Sequence, residues 1–390
     1  MTDTKTSLAF KPPRATEWKA LTPAKQKDSE ETTARANQSE LHNTLLASLQ
    51  MQHLVVLSGS GCSFGAGGPS MSDLWQEVVG ATPTDAAKAA AKTVGHDIAT
   101  QNIEALLSRV EASLALKEDQ TLKGFLDGSK SKILKKCSDF LVGEDKLEAH
   151  KTFVHRLSRR RARDQRLKIF TTNYDLCFER AASALGAVAL DGFSFASPRR
   201  FDPRYFGYDI VRRARNGDES ASYLEGVFLL YKLHGSVNWA DKGDGNIVEE
   251  ASPKPDEACL IYPAAGKYQQ SFTQPHLESM AQYLAAVREP NSCIIVAGFG
   301  FNDDHLSAPL LAAVSSNPHL RLIVVDPAAE KNLQAGNAHW KRLGALSQQG
   351  EDVWFISADF GQFVQLIPDL KSLTPADALA KAIQGAARAM

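Results

Sequence analysis

The sequence predicts an α/β protein: a doubly wound parallel sheet with a helical insertion as a subdomain. Three observations predict it. Short apolar runs recur along the chain, each with the unbroken hydrophobicity of a strand buried on both faces: HLVVLS, KIFTT, VFLLYK, then Ser292–Gly298 and Leu320–Asp326. Segments of helical periodicity separate most of them, the alternation expected of a parallel sheet covered on both sides. From about 82 to 165 the pattern is helical throughout, more chain than a single crossover requires.

Taken in order, residues 1 to about 36 are polar and carry Pro12, Pro13 and Pro23, and they read as a flexible N-terminal arm. Asn37 with Glu40 offers a helix start for LHNTLLASLQ. HLVVLSGSGCS is a strand entering a tight glycine turn, with a helix continuing through Trp75–Val79. The insertion holds AAKAAAKT, NIEALLSRVEASLAL, GFLDGSKSKILKKCSDFLV and a basic helix to Arg166. KIFTTNYD (168–175) is the next strand, and FERAASALGA a helix stopped by Gly186. An irregular stretch, 191–222, precedes the strand VFLLYKLHG (227–235). A polar loop (241–258) leads to the short strand CLIYP (259–263). Two further strands, Ser292–Gly298 and Leu320–Asp326, flank a helix; VWFIS (353–357) is the last strand, and 371–390 a terminal helix. The expected organisation is an arm (1–36), one domain (37–370) with an insertion over about 82–165, and the C-terminal helix.

Composition excludes several function classes. With 43% hydrophobic and 23% charged residues and a net charge of −1, the chain has no global attraction to nucleic acid or acidic lipid. The strongest charge cluster, Arg156–Lys168, reads as a solvated helix face or subunit contact, or as a nucleic-acid or partner patch. Five scattered cysteines without a CxxC pair argue against a disulfide framework and fit a reducing cytoplasm. The opening MTDTKTSLAFKPPR has no apolar signal core. No run approaches the roughly 18 apolar residues of a spanning helix. A cytoplasmic protein without membrane contact is expected.

Ligands of open parallel sheets bind beyond the carboxyl ends of the strands. Four strand ends carry unusual polar sequence: Gly59-Ser-Gly-Cys-Ser-Phe-Gly65, Thr171-Thr-Asn-Tyr-Asp175, Leu233-His-Gly-Ser236 and Gly298-Phe-Gly-Phe-Asn-Asp303. Glycines in the first let backbone approach a pyrophosphate, and the helix beyond aims N–H groups at the anion. A P-loop needs a Lys after its last glycine, and no Lys or Arg lies between Ser58 and Val79. The G-x-G-x-x-G fingerprint needs glycine where Phe64 stands, and an acidic residue ending a second strand. Phosphoryl and hydride transfer both lose ground.

GSGCS, TTNYD, LHGS and GFGFND, in that order, resemble the motifs of the sirtuin-like family, in particular the bacterial branch of NAD-degrading enzymes in anti-phage defence. The resemblance spans about 50–330 and implies a Rossmann-like fold. Gly59, Gly61 and Ser63 match the phosphate and ribose loop, usually G-A-G-x-S, with Ser60 in the Ala place. Asn173 and Asp175 match T-Q-N-x-D on the nicotinamide side, where Thr172 joins the cofactor contacts. His234 matches the catalytic histidine. Gly298 and Asn302 lie in the ribose turn, and Asp326 either meets the adenosine ribose or only ends its strand. The implied catalytic set is Asn173, holding the water or the ribose hydroxyls, His234 as acid–base group, and Asp175, orienting them or capping the next helix. His305 invites a metal reading, but helix capping is preferred.

One departure matters. Deacylases of this family carry four zinc cysteines soon after the histidine, whereas between His234 and Ser292 this chain has only Cys259. The resemblance therefore points to NAD hydrolysis, with no metal and no cofactor beyond NAD as substrate. It further implies a homo-oligomer and a HerA-type ATPase partner, with nucleic acid met only through that partner or the segment 156–168. The alternative is a sensor module that binds NAD or ADP-ribose without turnover and regulates a partner ATPase; a pure sensor has no need of both Asn173 and His234.

Overall fold

The computed structural model describes residues 8–22, 28–143, 145–160, 164–214, 222–262 and 273–369. Its main sheet contains β1 (Ala9–Lys11), β2 (Lys19–Ala20), β3 (His53–Ser58), β4 (Leu167–Thr171), β5 (Val188–Leu190), β6 (Val227–Lys232), β10 (Ser292–Ala297), β11 (Leu320–Val325) and β12 (Val353–Ser357). Strand order is β2-β1-β12-β11-β10-β3-β4-β6-β5. From β12 to β5 every pairing is parallel. The order runs one way from β3 through β4 and the other way from β10, so the switch point of this Rossmann-like sheet lies between β3 and β10. Register makes the strand ends level: Ser58 sits beside Ala297 and Thr171, and Thr171 beside Lys232. All four polar motifs leave the sheet at the same edge.

Unbroken apolar strands are explained by burial on both faces. Val55, Leu57, Phe170, Tyr231 and Val296 pack under α8 (His276–Ala286), α9 (Asp304–Ser316) and α11 (Ala338–Gln349). Leu54, Val56, Ile169, Leu230 and Ile295 face α1 (Asp28–Leu49), α6 (Glu148–Leu157), α7 (Cys177–Leu185) and α12 (Phe360–Leu366). The remaining helix of this layer system, α10, spans Ala329–Ala335. A third core belongs to α2 (Met71–Val78), α3 (Asp85–Thr93), α4 (Ile103–Leu116) and α5 (Gln120–Asp139), joined by Val237, Leu260 and Tyr262. Helices α3, α4 and α5 fall within the expected insertion and α2 precedes it; α6, placed inside it by the sequence pattern, packs on the main sheet instead.

Several expectations need correction. The arm 1–36 is not free over its described part: Ala9–Lys11 pairs antiparallel with β12, and Phe10 and Leu21 are buried. Burying those two side chains on the sheet edge offsets the ordering of a polar segment. Helix α1 begins at Asp28, so Asn37 is inside it, donating from its amide to Ala20 O at 2.8 Å rather than capping. The basic helix ends at Leu157. Beyond it Arg160 turns inward, 6% exposed, and donates to the carbonyls of Leu49, Met51, Gln52 and Gln165. Arg156 donates to Val364 O and Ile367 O, and Arg166 pairs with Asp209 at 2.8 Å. Three of the cluster's seven basic residues thus tie the chain to itself and are spent on internal contacts, while Arg159 stays exposed. CLIYP contributes β9 (Ala258–Leu260) not to the parallel sheet but to a three-stranded antiparallel one, with β7 (Gly235–Asp241) and β8 (Ile247–Glu249). The terminal helix (371–390) lies outside the described residues.

His150 on α6, 1% exposed, is wedged 5.2 Å from Phe178 and 4.9 Å from Phe360. Burial pushes its pKa down to about 4, partly opposed by Asp175, and burial does the same to His276. Both stay neutral in the fold while an unfolded histidine protonates near 6.5, so stability present above that pH is lost as pH falls towards 4. We expect His150→Phe to flatten this acid-side loss by up to ~1.4 kcal/mol per pH unit in urea titrations between pH 7 and 5; an unchanged slope would refute the assignment.

Candidate active site at the strand ends

The glycine turn after β3 and the glycine turn after β10 interlock. Gly59 N–H donates to Ala297 O and Gly61 N–H to Gly298 O, both at 3.0 Å. A Cβ on Gly61 would stand 2.7 Å from Gly298 Cα, and one on Gly298, at φ +61°, 2.5 Å from Cys62 N. These glycines therefore permit backbone to meet backbone. No long helix follows directly; two 3₁₀ turns, Ser60–Cys62 and Phe64–Ala66, come first, and α2 begins only at Met71.

Beside this pair lies a buried polar chain. Ser63 Oγ donates to Asp175 Oδ2 at 2.7 Å and accepts from Asn173 Nδ2 at 2.9 Å, while Asn173 Nδ2 also donates to Gly59 O at 3.0 Å. Asp175 Oδ1 accepts from Cys177 N at 3.0 Å at the start of α7. The carboxylate thus bonds both the start of α7 and the hydroxyl of Ser63. Asn173 spends its N–H₂ on the glycine loop, which leaves the amide oxygen as the acceptor for a ligand. We expect Ser63→Ala to destabilise by ~1–3 kcal/mol in urea unfolding, because a buried carboxylate and amide each lose a partner; a change under ~0.5 kcal/mol would mean that the chain of bonds holds nothing.

Gly59, Ser63, Thr172, Asn173, Asp175, His234, Gly298 and Asn302 line one cavity of about 180 Å³. Gly61 and Asp326 line a second, about 780 Å³, that shares Ser60, Gly298 and Gly300 with the first. All ten predicted residues therefore gather along one edge of the sheet. His234 is 3% exposed, with its Nε2 3.5 Å from His305 Nε2 and its carbonyl accepting from Ile261 N at 2.9 Å. Asp326 Oδ1 accepts from Ala328 N at 2.7 Å, and burial raises its pKa.

Other lining residues escaped sequence reasoning. Helix α2 supplies Met71 and Leu74, and the expected insertion supplies Glu104, Cys137 and Phe140, so this helical layer forms one wall of the inner cavity. Burial pushes the Cys137 thiol up to about 12, which keeps it from acting as a thiolate nucleophile. Asp303 adds a second acid beside Asn302. Asn337, capping α11, staples the β10 turn by donating to Phe301 O at 3.0 Å and Asn302 Oδ1 at 3.1 Å. An Asn immediately before a helical run is a helix-start signal, and it is the one feature here that a closer look at the sequence could have found. Among the described residues no group of three or more His, Cys, Asp or Glu is placed to hold a metal ion, and no helix is long and apolar enough to cross a membrane.

Residues 167–345 match the SIR2-like domain family. That domain contains three of the four motifs, TTNYD, LHGS and GFGFND, and begins with β4. Solved structures similar to the chain include a mutant Sir2 homologue complexed with 2′-O-acetyl ADP ribose, 14% identical over 83% of this chain and 94% of that one, with a TM-score of 0.43. A Sir2 homologue–NAD complex is 14% identical over 83% and 91%, with a TM-score of 0.42. No curated protein matches.

Proposed function

We propose that the cleft at the strand ends binds NAD and hydrolyses its nicotinamide–ribose bond, giving nicotinamide and ADP-ribose. The observation that carries this reading is the bonded chain Asn173–Ser63–Asp175 facing the same cavity as His234, within and beside a SIR2-like domain. The adjoining compartment edged by Asp326 has the room and the polar group for the adenosine half.

The chemistry asks little of the protein. The C1′–N bond breaks with both electrons passing to the nicotinamide nitrogen, whose positive charge is thereby neutralised, so the leaving group needs no general acid. Water bonds to C1′ and surrenders a proton to His234. Asn173 Oδ1 holds that water or the ribose hydroxyls, and Asp175, anchored by Ser63, keeps the turn in place and lends negative potential to the developing oxocarbenium. Leu74 and Phe140 give the inner cavity apolar wall, which would limit bulk water at the reacting carbon.

Hydrolysis is favoured over protein deacylation by the lone Cys259 where deacylases carry zinc cysteines. The test is NAD consumption by purified protein with and without an acyl-lysine peptide. We expect equal turnover in both; strict dependence on the peptide would overturn hydrolysis as the activity. The motif resemblance also supports NAD depletion in anti-phage defence as the setting, with a homo-oligomer triggered by a HerA-type ATPase. Light scattering with and without that partner tests this assembly, and a monomer in both would count against it.

A further inference from the structure

Lys232 ends β6 two residues before His234 and is 1% exposed. Its ammonium forms an ion pair with Glu179 Oε1 of α7 at 3.0 Å and donates to Tyr174 O at 3.2 Å and to Asp175 O. An ammonium has three protons to give, and three acceptors take them. Two of those acceptors are carbonyls of the turn that carries Asn173 and Asp175. The third belongs to the helix that this turn starts. Lys232 lines neither compartment of the cleft, so it reaches the site only through the turn.

Stability does not account for the pair. Desolvating two charges can cost more than their attraction returns, and apolar residues of similar volume often serve a core as well or better. Burial indeed raises the Glu179 pKa, with Lys232 pulling it back. What an apolar pair cannot supply is a donor for the Asp175 carbonyl or a charged tie on the Tyr174 carbonyl, which also accepts from Val237 N at 3.0 Å and Ser236 Oγ at 3.4 Å.

We propose that Lys232 is a positioning residue: its buried ammonium, anchored by Glu179, locks the Thr172–Asp175 turn onto the strand that delivers His234, and so sets Asn173 against His234. The catalytic consequence rests on the NAD-hydrolase reading; the locking of the turn does not. A misplacement of about 1 Å can cost around 100-fold in rate, so the effect should fall on turnover.

The test uses the full chain with Lys232→Met/Glu179→Met, which removes both charges, and with Glu179→Gln, which keeps the side-chain size should the double variant fail to fold. We expect the double variant to fold and to melt below wild type, since two carbonyls lose a donor, with kcat for NAD lowered about tenfold or more and KM within about threefold. Amide hydrogen exchange should speed up about tenfold over 172–177 and stay unchanged over 292–297. Glu179→Gln should shift both readouts in the same direction by less. Wild-type kcat with wild-type exchange in either folded variant would overturn the proposal. So would faster exchange throughout the sheet, which marks a merely structural role. Should wild type itself fail to turn over NAD, the hydrolase reading falls, while exchange over 172–177 still decides whether Lys232 locks the turn.

Discussion

Alanine at His234 should lower nicotinamide release by ~10²-fold or more, the usual weight of a positioned acid–base group, and Asn173→Ala should lower it at least as far. The two losses have different causes. On the proposed mechanism, removing His234 deletes the acceptor for the proton of the attacking water. Removing Asn173 deletes the ligand-facing amide oxygen and also cuts the bonds to Gly59 O and Ser63 Oγ, so the glycine loop loosens with it. ADP-ribose binding therefore separates the variants: His234→Ala should bind within about threefold of wild type, whereas Asn173→Ala should bind more weakly. Calorimetry with ADP-ribose beside a nicotinamide assay reads both. If both variants retain turnover, the catalytic assignment is wrong.

Gly298→Ala should be strongly damaging where the two glycine turns interlock. Its φ of +61° disfavours any side chain, and the added Cβ would meet only backbone, Cys62 N at 2.5 Å and Gly61 Cα and C at 2.7 Å. Neither neighbour can swing aside as a flexible side chain could, so the two turns must part. We expect a loss of ~2 kcal/mol or more in urea unfolding and about tenfold or weaker binding of ADP-ribose. Gly65→Ala, where a Cβ meets nothing within 4 Å, is the control and should stay within ~0.5 kcal/mol. Equal stability of both variants would show that the turns do not depend on close backbone contact.

What the sequence made legible follows from range. HLVVLS, VFLLYK, SCIIVA and LRLIVV declare buried parallel strands because burial on both faces leaves few polar positions, and their polar endings fall at one level because the parallel register aligns them. Such information is local. Residues whose role depends on a distant partner stayed hidden. Ala9–Lys11 is too short to read as a strand without the edge of β12 to receive it. Arg160 looks like one more basic residue until the carbonyls closing α1 are folded beside it. Glu104 gives no signal as a cavity residue because its helix periodicity reports only which face packs on α5. Lys232 reads as a break in an apolar strand, and only the fold brings Glu179 and the Tyr174 and Asp175 carbonyls to it. The local α6 pattern likewise could not say which core that helix joins.

The most direct test of the central claim is to incubate the wild-type chain with NAD alone and quantify nicotinamide and ADP-ribose together. The account predicts their equimolar release with no other acceptor present. NAD that binds in calorimetry yet is recovered intact, with candidate partner ATPase and DNA present as well as absent, would contradict it and leave a sensor in place of an enzyme.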